Sequence, residues 1–407
     1  MSKMFKGYKL RIYPTNKQKS IINNFINNYR FVYNWAIDLE YGALEDYKMK
    51  KTNRALISFY DLCSMYKDFR KSSDFNWLES FPLTTARNAL KDAVLAFEMY
   101  YNHNNSGKPS YKSKKRSKRM FKTRPDRFLL RNGKIRFEGL DKSNYHSKDT
   151  DNIDLKFNPN FPSDTKYHEP VISIDKSGNY YVSFGIIVES KPLDIPKSEA
   201  IGIDLGVRQT ITLSNGEIYN RPKDKINRLN ARISHIQHHI TRDINRRIIE
   251  SNHTKTKYED IPKSKRAMKR EAKYHKLLDK RHNIKNNWYH ETAKSIVNRN
   301  PEAIVMEHIT TMSMHKNAKK ISTGFSRNID KSDFTWIRSI FEYKCKERDI
   351  PFILADKQYP SSQICSTCGN IQKMPLYKHK YICPVCGLKL DRDVNAAINL
   401  RNLYTSA

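Results

Sequence analysis

Four cysteines near the end of the chain constrain it more than any other feature. Cys365, Cys368, Cys383 and Cys386 form the pattern C-x2-C-x14-C-x2-C. Each C-x2-C lets two thiolates approach one ion from a single tight turn. The glycines that follow directly, Gly369 and Gly387, suit the positive φ of such a turn. Four thiolates fill a tetrahedral site and leave no open position, so the pattern predicts one structural Zn2+ in a small ribbon. Two matched pairs argue against a redox C-x2-C. Cys63 and Cys345 lie on helical patterns and read as core residues.

Directly after the ribbon comes DRDVNAAINL, a helix opening on Asp391 and Asp393. Two further acids end apolar strands: Asp204 in AIGID and Glu307 in AIVME. A carboxylate beside a buried strand costs desolvation unless it is paired or binds a cation. Taken singly, each acid reads as a turn or capping residue, and Asp391 and Asp393 both fit helix capping. Taken together, Asp204, Glu307 and Asp393, from distant stretches, would converge at the strand ends of one sheet. They are hard oxygen ligands for divalent ions, with positions left for water and phosphate. Two Mg2+ about 4 Å apart, or Mn2+ in their place, would suit phosphodiester hydrolysis.

Charge narrows the partners. Lys and Arg number 75 against 42 Asp and Glu, a formal net charge of +33. Nucleic acid is the polyanion such a surface expects, because neutralising phosphates releases counterions. No stretch approaches the ~18 apolar residues of a membrane span, and no amphipathic anchor is evident. The opening MSKMFKGYKLRIYP lacks the apolar core of a signal peptide, so a cytoplasmic, nucleoid-associated protein is expected. The cations concentrate in residues 103–136, with seven lysines and six arginines against one acid, Asp126. Tyr111, Phe121 and Phe128 are interleaved with them. Lys108, Tyr111, Lys112, Lys114, Lys115, Arg116, Lys118 and Arg119 are the expected nucleic-acid contacts.

The rest of the chain supplies the scaffold. FKGYKLRIYPTNKQKSIINNFI reads as strand, turn and helix, with Thr15 and Gln18 at capping-box spacing. The pattern stays helical to about Tyr101, with Leu83, Ala86, Leu90, Val94 and Phe97 on one stripe. VISIDKSGNYYVSFGIIVE is a hairpin whose turn holds Asp175. Ile226, Leu229, Ile233, Ile236 and Ile240 step by three and four along the first of two long basic helices, the second covering about 264–298. The order from residue 199 is strand, strand, helices, strand, helix, strand, insert, helix, an α/β layering of the RNase H type. Residues 311–328 read as polar and irregular.

The stretches KLRIYPTNKQ, YRFVYNWAI, GKPSYKSKKRS, GIDLGVRQTITLSNG, IVMEHIT, YPSSQICSTCG, CPVCG and DRDVNAAINL carry a resemblance over nearly the whole chain. It resembles the TnpB (OrfB) family, transposon-associated RNA-guided DNA endonucleases related to the type V CRISPR effectors. The resemblance implies a multidomain α+β protein. An N-terminal wedge-like β-barrel would span 1–14 and 108–195, interrupted by a helical recognition insert over 15–107. An RNase H-like (RuvC) domain would span 196–360 and 389–407, with a zinc ribbon at 361–388. Asp204, Glu307 and Asp393 would be the metal-binding triad, the family placing the catalytic acid second in its D-x-D. Asn395 would support the site or touch substrate. Guide RNA and double-stranded target DNA would be the partners, a motif beside the target would be read by the protein, and a monomer is favoured.

Two positions depart from the family pattern. His308, Ile309 and Thr310 stand where an acid and Leu-Asn usually follow the glutamate, and Asn287 replaces an acid on the basic helix. Two alternatives stay open: a guide-dependent repressor that binds without cleaving, and a transposase with an RNase H-type acidic site. The repressor would be expected to have lost one of the three acids.

Overall fold

The computed structural model describes residues 3–102, 107–140, 152–156, 159, 161, 165–308, 333–375 and 377–405. The chain forms two compact units, one of Phe5–Ile187 and one of Met1–Met4 with Val188–Ala407.

The first unit begins with β1 (Lys3–Tyr13) and α1 (Asn16–Lys48). Thr15 and Gln18 close the expected capping box: the Gln18 Oε1 accepts from the Thr15 N–H at 2.9 Å, and the Gln18 N–H donates to the Thr15 hydroxyl at 3.4 Å. Helices α2 (Phe59–Phe69) and α3 (Leu83–Asn102) follow. The buried stripe of α3 contains Ala86, Ala89 and Ala93, small enough to let α1 approach closely. Then come β2 (Arg119–Lys122), β3 (Phe128–Arg131), β4 (Lys134–Phe137), β5 (Ile153–Leu155), β6 (His168–Ile174) and β7 (Tyr180–Glu189). These strands form one curled sheet in the order β2-β6-β7-β1-β5-β4-β3. Where a closed barrel is expected, the described edge strands β2 and β3 are not bonded to each other. Phe25 of α1 fastens helix to sheet, meeting Phe81, Phe121 and Phe137 edge-on at 5.2, 5.4 and 6.3 Å. Asp175 is a turn residue, accepting from the backbone and side-chain nitrogens of Asn179 at 2.8 and 3.0 Å.

The second unit holds β8 (Ile201–Asp204), β9 (Ile211–Leu213), β10 (Ile218–Tyr219), α4 (Lys223–Thr254), α5 (Lys265–Val297) and β11 (Ile304–Met306). It continues with α6 (Phe334–Arg348), β12 (Phe352–Leu354), β13 (Lys380–Ile382), β14 (Lys389–Asp391) and α7 (Arg392–Thr405). The main sheet runs β10-β9-β8-β11-β12, with β8, β11 and β12 parallel and β9 and β10 antiparallel. The third strand, β10, follows the Asn215-Gly216 turn, where Gly216 takes φ +87°. Strand β11 is buried on both faces. Ile304 and Met306 join the core under α5 and α6, while Val305 points the other way, toward Leu400 of α7. Helices α4 and α5 pack through Leu229, Ile233, Ile236 and Leu277, the expected stripe. The irregular stretch expected at 311–328 lies outside the described residues.

Candidate metal centres

Strand register brings the first two acids together. Ile203 of β8 pairs with Met306 of β11 in a parallel ladder. The next residues, Asp204 and Glu307, therefore emerge side by side at the carboxyl ends of strands that run about 4.8 Å apart. Asp204 is buried. Gly206, two residues on, lets the Gln209 carbonyl turn in close: a Cβ there would stand 2.6 Å from that oxygen and 3.7 Å, an ordinary contact, from the carboxylate of the third acid, Asp393.

Helix α7 delivers that third acid. Asp391, the last residue of β14, caps the helix: its Oδ1 accepts from the Asp393 N–H at 2.9 Å. Its Oδ2 accepts from Arg208 at 2.7 Å. Both Asp391 oxygens are thus engaged, and of the two acids Asp393 acts more strongly on Asp204. Burial first, then the charges of Glu307 and Asp393, push the Asp204 carboxyl well above the ordinary carboxylate range. Burial also raises Glu307, against the pull of Arg392. Asp393 is raised by burial and by Asp391, and drawn down by Arg208 and Arg392. Like charges share one partly dry site with two cations beside it. The all-oxygen donor set and this uncompensated charge both suit a divalent cation.

The thiols are gathered more tightly. Among the described residues only Cys365, Cys368, Cys383 and Cys386 bring ligand atoms of three or more candidate side chains all within 4.8 Å of one another. The Cys365–Cys386 and Cys368–Cys383 sulfurs lie 3.5 and 3.6 Å apart. A tetrahedron with Zn–S bonds of about 2.3 Å has edges of about 3.8 Å, so the quartet fits that ion. The two knuckles match. Gly369 N–H donates to the Cys365 carbonyl at 2.9 Å, and Gly387 N–H to the Cys383 carbonyl at 3.1 Å, with φ of +73° and +74° at the glycines. The backbone N–H of Cys386 is the main influence drawing the Cys383 thiol down to about 6.

The basic segment divides into anchors and exposed cations. Tyr111 donates to Asp38 at 2.5 Å, and the Lys112 backbone exchanges hydrogen bonds with the Asn34 amide at 2.8 and 3.0 Å. The Lys112 ammonium lies 3.5 Å from the centre of the Tyr33 ring, and burial lowers it to about 8. Lys108 stands over Tyr41 at 4.8 Å. Arg119 donates to the Asp175 carbonyl at 2.6 Å. Lys114, Lys115, Arg116 and Lys118 are exposed. Lys114, Lys118 and Arg119 line a cavity of about 260 Å3 with Asn23, Asn27 and Arg30 of α1.

Asn395 lies away from any surface a nucleic acid could touch. It is fully buried; its amide nitrogen donates to the Ile364 carbonyl at 2.7 Å, and its oxygen accepts from the Ser366 N–H at 3.0 Å. Asn399 repeats the clamp on Ser361 and Ile364 at 2.8 and 2.7 Å. Both asparagines fasten α7 to the root of the ribbon. The Nδ1 of His308 is buried with no partner among the described residues. Asn287 donates to Glu291 at 2.8 Å, one turn along α5. Cys345 is a core residue, its thiol raised to about 12 by burial.

Sequence reasoning missed Arg208, Arg392 and Arg30. Arg208 and Arg392 carry a faint signal, each a cation within four residues of a site acid. Arg30 completes a polar stripe with Asn23 and Asn27 at spacings of four and three.

Known proteins resemble this chain both in segments and over nearly its whole length. A family model for the Cas12f1-like TNB domain matches residues 334–400, which hold α6, β12, the ribbon and most of α7. A helix-turn-helix model drawn from OrfB proteins matches residues 1–46, which here form a strand and one long helix. A protein of Streptomyces pristinaespiralis, provisionally named an RNA-guided DNA endonuclease, is 27% identical over 98% of this chain and 89% of its own length. InsQ of Escherichia coli K12, provisionally named likewise, is 22% identical over 98% and 92%. The Cas12f1 chain solved by cryo-EM with sgRNA and target DNA shares the fold, with a TM-score of 0.51 at 14% identity over 98% of this chain and 99% of that one. The chain is thus similar over nearly its whole length to two proteins provisionally named RNA-guided DNA endonucleases, carries segments that match OrfB and Cas12f1-like family models, and shares the Cas12f1 fold.

Proposed function

We propose that this chain is an RNA-guided DNA endonuclease that hydrolyses phosphodiester bonds in double-stranded DNA, at sites set by guide-RNA pairing and a short adjacent motif. One observation carries the reading: the β8–β11 register sets Asp204 beside Glu307, and α7 brings Asp393 near enough to act on Asp204. The pairing order of the sheet, antiparallel twice and then parallel twice, supports a RuvC-type nuclease over 196–360 and 389–407. Asp204, Glu307 and Asp393 would hold two Mg2+, and Cys365, Cys368, Cys383 and Cys386 one Zn2+. When bound, the Mg2+ ions would activate water and stabilise the leaving oxygen.

The chain's own residues do the positioning. Asp391 fixes the first turn of α7 and so the direction of Asp393. Arg392 offsets charge near Glu307. In the first unit, Lys114, Lys118, Arg119 and Arg30 would take backbone phosphates of guide RNA or heteroduplex, and the anchored Tyr111 and Lys112 would hold that segment in place. Residues 1–14 and 108–195 would act as the wedge and 15–107 as the recognition helices. No helix among the described residues is long and apolar enough to cross a membrane.

The test is purification with the native flanking DNA, sequencing of the bound RNA, and cleavage of a matching duplex in Mg2+. Wild-type chain should cut. Asp204→Ala should bind RNA and target without cutting. Cutting by Asp204→Ala would remove that residue from the site. A wild-type chain that binds guide and target without cutting would favour the repressor reading.

A further inference from the structure

Arg208 is the one site residue whose placement the cleavage chemistry does not explain. It lies four residues beyond Asp204, on the turn into β9, and its carbonyl accepts from Lys223 at 2.9 Å, so its backbone is held. A single nitrogen, Nη2, lies 2.7 Å from Asp391 Oδ2 and 3.6 Å from Asp393 Oδ2. With its amide turned over, Gln209 would bridge the same atoms, accepting from Arg208 at 3.3 Å and donating to Asp393 at 3.2 Å. The two carboxylates are unequal. Asp391 is fixed by its second oxygen on the helix N–H, whereas Asp393 belongs to the acidic set. The Arg208 side chain is 44% exposed, so it has solvent into which to withdraw.

We propose that Arg208 is a positioning latch: moored on Asp391, it neutralises Asp393 while the carboxylate site is empty and competes with the divalent ions that the site takes. The inference rests on the reading that Asp204, Glu307 and Asp393 bind divalent cations. A guanidinium within 4 Å of a carboxylate favours its charged form and opposes a second cation on the same oxygen. Removing the competitor therefore strengthens ion binding. Removing the mooring has the opposite effect, because Arg208 then turns fully to Asp393. A merely structural ion pair predicts otherwise, since losing either partner would loosen α7 and weaken binding in both cases.

Mn2+ binding to the full, zinc-loaded chain without nucleic acid, followed by electron paramagnetic resonance, separates these outcomes. Arg208→Ala should bind Mn2+ roughly threefold or more tighter than wild type. Asp391→Asn should bind it weaker by a similar factor, and asparagine keeps the helix cap, so the fold is retained. Arg208→Lys should fall between wild type and Arg208→Ala. Zinc content and circular dichroism check that each variant is folded. Unchanged or weaker binding in folded Arg208→Ala overturns the latch. Altered DNA affinity with unchanged Mn2+ affinity overturns it too, and makes Arg208 a phosphate contact. The control Asp204→Asn should lose the Mn2+ signal. If wild type has no signal that Asp204→Asn removes, the carboxylate site itself fails, and the latch with it.

Discussion

A single methyl group added at Gly202 should move the acidic site. Gly202 lies in the middle of β8, facing α7. A Cβ there would stand 1.9 Å from the Ala397 carbonyl oxygen and 2.5 Å from the Arg401 nitrogen. Both are helix backbone atoms, not the ends of flexible side chains. The strand has little freedom to retreat: the Gly202 N–H donates to the Ser214 hydroxyl at 3.1 Å, and its carbonyl accepts from the Ser214 N–H at 2.9 Å. Ordinary contact begins near 3.4 Å, so α7 must withdraw by roughly 1.5 Å. Overpacking of this kind costs about 1–3 kcal/mol. Ala397 is one helical turn from Asp393, so the displacement reaches the acid, and misplacement of about 1 Å costs on the order of a hundredfold in rate.

Urea unfolding and single-turnover cleavage of a guide-matched duplex, wild type against Gly202→Ala, read the two effects. The expected sign is informative, because Gly→Ala at an unstrained position stabilises by about 0.4–1 kcal/mol through the unfolded chain. Gly7, in β1 with nothing within 4 Å of its Cβ position, is the control strand glycine and should show that small gain. A Gly202→Ala chain as stable as wild type and cutting within twofold of it would refute the packing argument.

Three further outcomes are expected. Cys383→Ser should take zinc from one per chain to near none by metal analysis, with faster amide exchange in the ribbon and the first turn of α7; retained zinc would contradict the quartet. Glu40, fully buried with Oε1 unpaired and Oε2 accepting from the Ile57 N–H at 3.1 Å, is raised by burial to about 7. Its unfolded value is about 4.3, so the folded chain holds the proton more tightly, and the contribution is full below that value and lost as pH rises through 7. Glu40→Gln should therefore stabilise by on the order of 2–3 kcal/mol at pH 8 and by little at pH 4, in paired denaturant titrations; equal effects at both pH values would exclude titration as the cause. Neutralising Lys114 and Lys118 together should lower the slope of log affinity for RNA against log salt by about 1.5, and an unaltered slope would place both outside the phosphate path.

Local chemistry made much of this legible from sequence. The capping box at Thr15 and Gln18, the isoleucine stripe of α4, the Asn215-Gly216 turn and both zinc knuckles rest on residues close in the chain, where spacing and geometry are the same information. The ends of β8 and β11 were legible because an acid closing an apolar run is costly anywhere else. What spacing does not carry is contact between distant segments. Arg208 reaches Asp391 across 183 positions. Lys112 reads as a phosphate contact and is drawn under Tyr33, while Asn395 and Asn399 look polar and are buried, because burial depends on which element covers them. The curl of the first sheet depends on the edges that β2 and β3 present, which no single strand declares.

The position of the ribbon next to the third acid has a mechanical reason. Burial raises the carboxyls of Asp204, Glu307 and Asp393, and the charges of Glu307 and Asp393 add to it at Asp204, so the start of α7 has to be held against the sheet. The ribbon restrains the start of that helix from two sides. On one, Asn395 and Asn399 grip Ile364, the residue before Cys365. On the other, β14 pairs Leu390 with Tyr381 and Asp391 with Lys380, so the strand leaving the second knuckle runs straight into Asp391. Tyr381 is fully buried beside Cys365 and Cys383 and donates to the Gln363 and Asn370 carbonyls at 3.2 and 3.3 Å, tying the first knuckle to the hairpin that carries the second. An ion held by the four thiolates would thus stiffen both attachments of α7 at once. Zinc that takes no part in the chemistry would still set the divalent-ion affinity of the acids, and chelating it should weaken Mn2+ binding before the rest of the second unit unfolds.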